Sequence, residues 1–106
     1  MTPEDAQKLL AESRAKIDDV DRKLVELLNE RTKAVEYIGR AKEAAGLPIY
    51  EPKREDDVYR NVCDHNHGPM TPDALRRIFE RIMDEMRSLQ RMRRAANSSD
   101  SPKGDR

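Results

Sequence analysis

Tryptophan is absent from these 106 residues, and three tyrosines and one phenylalanine are the only aromatic side chains. With so few rings and only 36% hydrophobic residues, a chain of this length has little with which to fill a core of its own. Long apolar runs are missing too. None approaches the roughly 20 residues that cross a bilayer, so neither a membrane span nor a membrane partner is expected. No basic stretch leading into an apolar one opens the chain, so no secretory signal is expected. The single cysteine, Cys63, has no internal disulfide partner, which suits a reducing cytoplasm. A net charge is lacking as well, because 21 basic residues offset 21 acidic ones. That balance argues against general nucleic-acid binding and against the charge imbalance usual in disordered chains. His65 and His67 share a loop with no cysteines or aspartates at metal-site spacing, so no metal is expected.

What remains is charge with a period. Charged residues make up 40% of the chain and the mean hydropathy is −1.00, a profile typical of long helices and coiled coils. The fold expected is all-α, with no strand pattern and no repeat. Thr2-Pro3-Glu4-Asp5 supplies an N-cap, a proline suited to the first turn and an acidic capping-box partner. Gly46 followed by Pro48 ends the pattern. The first helix is therefore expected over about residues 3–45, a length of roughly 64 Å. A second is expected over about 51–64, with Val58, Tyr59 and Val62 on its apolar side. A third starts at Thr71-Pro72-Asp73 and carries Leu75, Ile78, Phe79, Ile82, Met83, Met86 and Leu89 to about Arg94. Residues 1–96 are read as one helical domain and 97–106 as a disordered tail, on composition.

The first helix keeps a seven-residue register. One position carries Leu10, Ile17, Leu24, Arg31 and Ile38, and a second carries Ser13, Val20, Leu27, Ala34 and Ala41. Such a stripe asks for a helical partner. A compact monomer of this length has a diameter of roughly 34 Å, too small to bury the helix along its length. Either the helix breaks, with Asn29-Glu30-Arg31-Thr32 the weakest point, or a second chain covers it. An intertwined homodimer is favoured over a monomeric bundle.

Charges interrupt the stripe. Arg31 occupies a core position, and Arg14 and Lys42 lie on the neighbouring row. Gln90 follows Phe79, Met83 and Met86 on the apolar face of the third helix, and Arg54 and Glu55 open the second. Taken singly, the arginines could pair with carboxylates across a helical seam. Taken together, Arg14, Arg31, Lys42, Arg54 and Gln90 describe a pocket of cations and one neutral donor, suited to a small dianion. Arg14 and Lys42 are 28 positions apart, about 42 Å along one straight helix. If both touch one ligand, Arg14 comes from the partner chain.

These residues carry a family likeness. Arg14-Ala15-Lys16-Ile17-Asp18, Asn29-Glu30-Arg31, Ile38-Gly39-Arg40-Ala41-Lys42 and Tyr50-Glu51-Pro52-Lys53-Arg54-Glu55 resemble the all-helical class of chorismate mutases. So do Ile78-Phe79-Glu80-Arg81-Ile82-Met83 and Ser88-Leu89-Gln90; the ordered set spans about residues 8–92. The wording is most similar to mutase domains fused to, or associated with, the heptulosonate-phosphate synthase that opens the shikimate pathway, which makes such a synthase an expected partner.

The resemblance implies an entwined dimer of three-helix chains that rearranges chorismate to prephenate on the route to phenylalanine and tyrosine. It implies that Arg14 of the partner chain and Arg31 bind substrate carboxylates and that Arg54 helps hold the ring-side carboxylate region. Lys42 and Gln90 would donate to the ether oxygen of the breaking bond, and Glu55, with backbone near Glu51, would receive the ring hydroxyl. Met86 stands where some members carry a small hydroxyl residue, making that wall more apolar. The reaction is a unimolecular pericyclic shift, so no cofactor is expected. Two other functions share the framework: a lyase splitting isochorismate into salicylate and pyruvate, and a non-catalytic dimerisation or regulatory module. Glu55 and the Gly39–Lys42 wording favour the mutase.

Overall fold

The computed structural model describes the backbone of residues 1–100 and the side chains of residues 1–98. Three helices make up the fold: α1 (Pro3–Ala44), α2 (Pro52–Asp64) and α3 (Pro72–Asp100). Among the described residues there is no strand, and no helix is long and apolar enough to cross a membrane.

The helix ends follow from local chemistry. At the start of α1 the Thr2 hydroxyl accepts the Asp5 N–H at 3.0 Å, and the Asp5 carboxylate accepts the Thr2 N–H at 3.2 Å. This reciprocal pair satisfies two of the donors that a helix start leaves open. At the other end Gly46 adopts φ 69, and the Leu47 N–H reaches back to the Lys42 carbonyl at 2.8 Å while Gly46 reaches Glu43 at 3.2 Å. That is the Schellman arrangement, and its left-handed position favours glycine. Thr71 repeats the Thr2 device, its hydroxyl accepting the Ala74 N–H at 3.2 Å ahead of Pro72. Glu51 caps α2 in an extended conformation without a side-chain bond to the helix, because its carboxylate is engaged by Lys42.

The expected end of the third helix, and with it the start of the tail, needs correction. Helix α3 does not end near Arg94 but runs to Asp100. The first four residues of the segment read as a disordered tail are therefore helical; residues 101–106 lie outside the described residues. Composition misled here because Asn97-Ser98-Ser99 reads as a linker, while tertiary contacts override weak propensity. The Asn97 amide donates to Glu43 at 3.4 Å. Helix α1, by contrast, runs unbroken through Asn29-Glu30-Arg31-Thr32, in keeping with the single first helix expected over about residues 3–45.

The chain divides into two units, residues 1–34 and 35–106. The first is a helical stretch that leaves its apolar residues open. Ile17 is 56% exposed, Leu24 49% and Leu27 58%. In the second, the end of α1 is accompanied by α2 and α3, which pack on each other. Among the described residues its buried side chains are Val35, Met83 and Met86, together with one charged residue, Lys42.

Candidate active site

The buried charge is the natural place to begin. Lys42 sits in the last turn of α1 and is only 8% exposed. An ammonium so placed needs compensation. Its Nζ donates to the Ile49 carbonyl at 2.7 Å and pairs with Glu51 Oε1 at 2.7 Å. The Schellman turn makes both contacts possible by folding the chain back over the helix end. Two of the three ammonium donors are thereby used, leaving one for a ligand.

Arg54 and Glu55 follow on the first turns of α2. Arg54 is exposed. Glu55 is not: its side chain and that of Arg87 are each 20% exposed, and Arg87 Nη1 donates to Glu55 Oε2. Arg87 Nη2 donates in turn to Asp84 Oδ1, and the guanidinium lies 5.3 Å from the centre of the Tyr50 ring. The bond to Glu55 holds the guanidinium pKa above its ordinary value, against the opposing effect of burial. Tyr59, one turn along α2, has its phenol pushed up by burial and by Glu80, while Arg76, 4.0 Å from the ring centre, pulls the other way.

Gln90 lies one turn beyond Arg87 on α3. A Cβ built on Gly39 of α1 would stand 3.6 Å from Gln90 Cγ, an ordinary contact. The glycine thus faces a side chain of its own chain. Gln90 Oε1 is buried without a hydrogen-bond partner, as is Arg94 Nη2. Both residues line a cavity of about 420 Å³ that Val35, Gly39 and Leu89 also border. Lys42, Glu51, Arg54 and Glu55 are not on its wall, so the cavity by itself does not define the site. Arg93 closes on Glu36 beside it, and Arg94 Nη1 donates to the Leu47 carbonyl at 3.3 Å. Met86 is buried between Met83 and Gln90 in the sequence of α3.

Of the seven candidate residues, Lys42, Glu51, Arg54, Glu55 and Gln90 all belong to the second unit. Lys42 and Glu51 are in direct contact. Arg14 and Arg31 belong to the first unit, where Arg14 is exposed and Arg31 is partly buried. Sequence reading missed Arg87. Its spacing of three from both Asp84 and Gln90 was the available signal, but its contact with Glu55 lies 32 positions away. His65, in the loop after α2, donates from Nδ1 to the Asn61 carbonyl at 2.7 Å, a helix-end contact. Cys63 is a partly buried free thiol.

Comparison with known proteins adds the following. The family model described as Chorismate mutase type II matches residues 13–91. A chorismate mutase of Methanocaldococcus jannaschii is 33% identical over 86 residues, covering 77% of this chain and 84% of that protein. A bifunctional chorismate mutase/prephenate dehydratase of Neisseria gonorrhoeae is 34% identical over 84 residues, covering 79% of this chain. The chain spans only 23% of the length of that bifunctional relative. Among solved structures, Form II of chorismate mutase from Thermus thermophilus superposes with a TM-score of 0.75 at 33% identity, covering 77% of this chain and 93% of that one.

Proposed function

The chain belongs to the chorismate mutase type II family, and from that premise we propose that it rearranges chorismate to prephenate, in the cytoplasm, on the route to phenylalanine and tyrosine. The observation that carries this reading is Lys42, a buried ammonium fixed by Ile49 and Glu51 with one donor to spare. In the rearrangement an ether C–O bond breaks as a C–C bond forms within one molecule, and negative charge grows on the departing oxygen. No proton, nucleophile or electron carrier has to be supplied. The protein orients the side chain over the ring and stabilises that oxygen.

Arg31, Arg54 and the partner subunit's Arg14 clamp the two carboxylates, which lowers the barrier by orientation. Lys42 and Gln90 donate to the ether oxygen. Donors fixed beforehand in a site shielded from water need no reorganisation as charge develops. Glu55, with Glu51 nearby, accepts the ring hydroxyl.

The acting unit is a homodimer. The stripe of Leu10, Ile17, Val20, Leu24 and Leu27 supports this, since each is at least two-fifths exposed in the single chain and apolar burial is the main driving force for association. A heptulosonate-phosphate synthase is the proposed partner enzyme, on the wording of the sequence. Titrating such a synthase into the assay tests this, with a rise in mutase rate expected and an unchanged rate counting against it.

The activity itself is tested with purified protein. Loss of chorismate absorbance with formation of prephenate is the expected result. Salicylate fluorescence from isochorismate, without chorismate turnover, would reassign the chain to the lyase. Turnover of neither would leave a dimerisation module.

A further inference from the structure

Arg87 has no part in the proposed chemistry so far, yet it is placed beside a residue that does. It stands on α3, one turn before Gln90, and bridges two carboxylates: Glu55 on α2 through Nη1 and Asp84 on its own helix through Nη2. Both members of the Arg87–Glu55 pair are four-fifths shielded from solvent. Solvent-exposed pairs of this kind contribute little; a shielded, forked guanidinium contact fixes direction as well as charge. Tyr50, directly before Glu51, lies against the same guanidinium at 5.3 Å.

The contact is one-sided in a useful way. Arg87 engages Glu55 Oε2, which leaves Oε1 as the oxygen able to accept a further hydrogen bond. The other charged and titratable groups in this neighbourhood are Asp84 from α3 and Tyr59 from α2, with Glu80 and Arg76 around Tyr59.

We infer that Arg87 is a positioning residue, which holds the Glu55 carboxylate by one oxygen so that the other meets the substrate's ring hydroxyl. This rests on the mutase reading above. Arg87 touches no reacting atom. It acts on how tightly the hydroxyl is held and leaves the stabilisation of the ether oxygen to Lys42 and Gln90. Its effect therefore belongs in KM and depends on the presence of that hydroxyl.

The test is steady-state kinetics of Arg87→Met and Arg87→Lys with chorismate and with an analogue lacking the ring hydroxyl. A hydrogen bond to a charged group contributes about 1.5–3 kcal/mol, so Arg87→Met should raise KM for chorismate about 10-fold or more. Its kcat should change far less. With the hydroxyl-free analogue the variant and the parent should give the same KM. Arg87→Lys, which keeps the charge without the fork, should fall between them on chorismate and match the parent on the analogue. Equal losses on both substrates, or a loss in kcat alone, would overturn the positioning role. If Arg87→Met does not fold, the Arg87→Lys comparison decides on the same criterion. Failure of the unmodified protein to turn over chorismate would instead overturn the proposed activity, and this inference with it.

Discussion

At the scale of single residues, the proposed chemistry concentrates on Lys42. A lysine at 8% exposure would be costly without its two acceptors, and those acceptors also fix its direction. Removing a preorganised donor to a developing oxyanion typically costs about 100- to 1,000-fold in rate. Lys42→Ala should lose at least that in kcat while keeping its helical circular dichroism; a loss below 10-fold would remove Lys42 from the reaction. Tyr59 offers a check through pH. Its phenol pKa is raised in the folded chain, first by burial. A raised pKa means the folded state retains the proton longer than the unfolded one. The stabilisation is complete below the ordinary tyrosine pKa of about 10 and is lost as pH rises beyond it. Thermal midpoints measured from pH 9 upward should therefore fall less steeply in Tyr59→Phe than in the parent. Parallel slopes would contradict that environment. Lys42, Gln90 and Glu55 stand out in the sequence because each breaks a pattern or completes a motif, and the structure places all three in the second unit. Arg87 was not, because a solvated arginine and one bridging α2 to α3 look alike until the helices are packed.

At the scale of elements, the starts of α1 and α3 were legible because threonine and proline act on their immediate neighbours. The end of α1 was legible for the same reason, in Gly46. The end of α3 depends on contacts with distant residues such as Glu43, which no local signal encodes. Gly39 shows the difference between the two kinds of information. In sequence it is a helix-weakening residue, readable equally as room for a partner or ligand and as plain tolerance. In the structure an added methyl would meet Gln90 Cγ at 3.6 Å, with no clash. Gly39→Ala should stabilise the protein by about 0.8–1.0 kcal/mol, the helix-propensity difference, seen as a higher midpoint in chemical denaturation. Destabilisation would mean that the methyl disturbs Gln90, and kcat would then fall as well.

At the scale of the whole molecule, the composition has a physical explanation. A chain with 36% hydrophobic residues spends many of them on a stripe that its own fold leaves open: Leu24 and Leu27 are 49% and 58% exposed. The heptad made that stripe legible, while the identity of what covers it is not a local property. Leu24→Asp should lower the sedimenting mass from dimer toward monomer and abolish activity with it; an active monomeric variant would contradict the shared site.

The most direct measurement combines both halves of that proposal. Arg14→Ala and Lys42→Ala are purified separately, mixed, and allowed to exchange subunits, with exchange verified by a mass tag. Each mixed dimer then holds one site with Arg14 from one chain and Lys42 from the other. Chorismate turnover should rise from the background of either variant to about a quarter of the parent rate, since half the dimers are mixed and each carries one of two sites intact. Verified exchange with turnover still at background would contradict a site built from two chains.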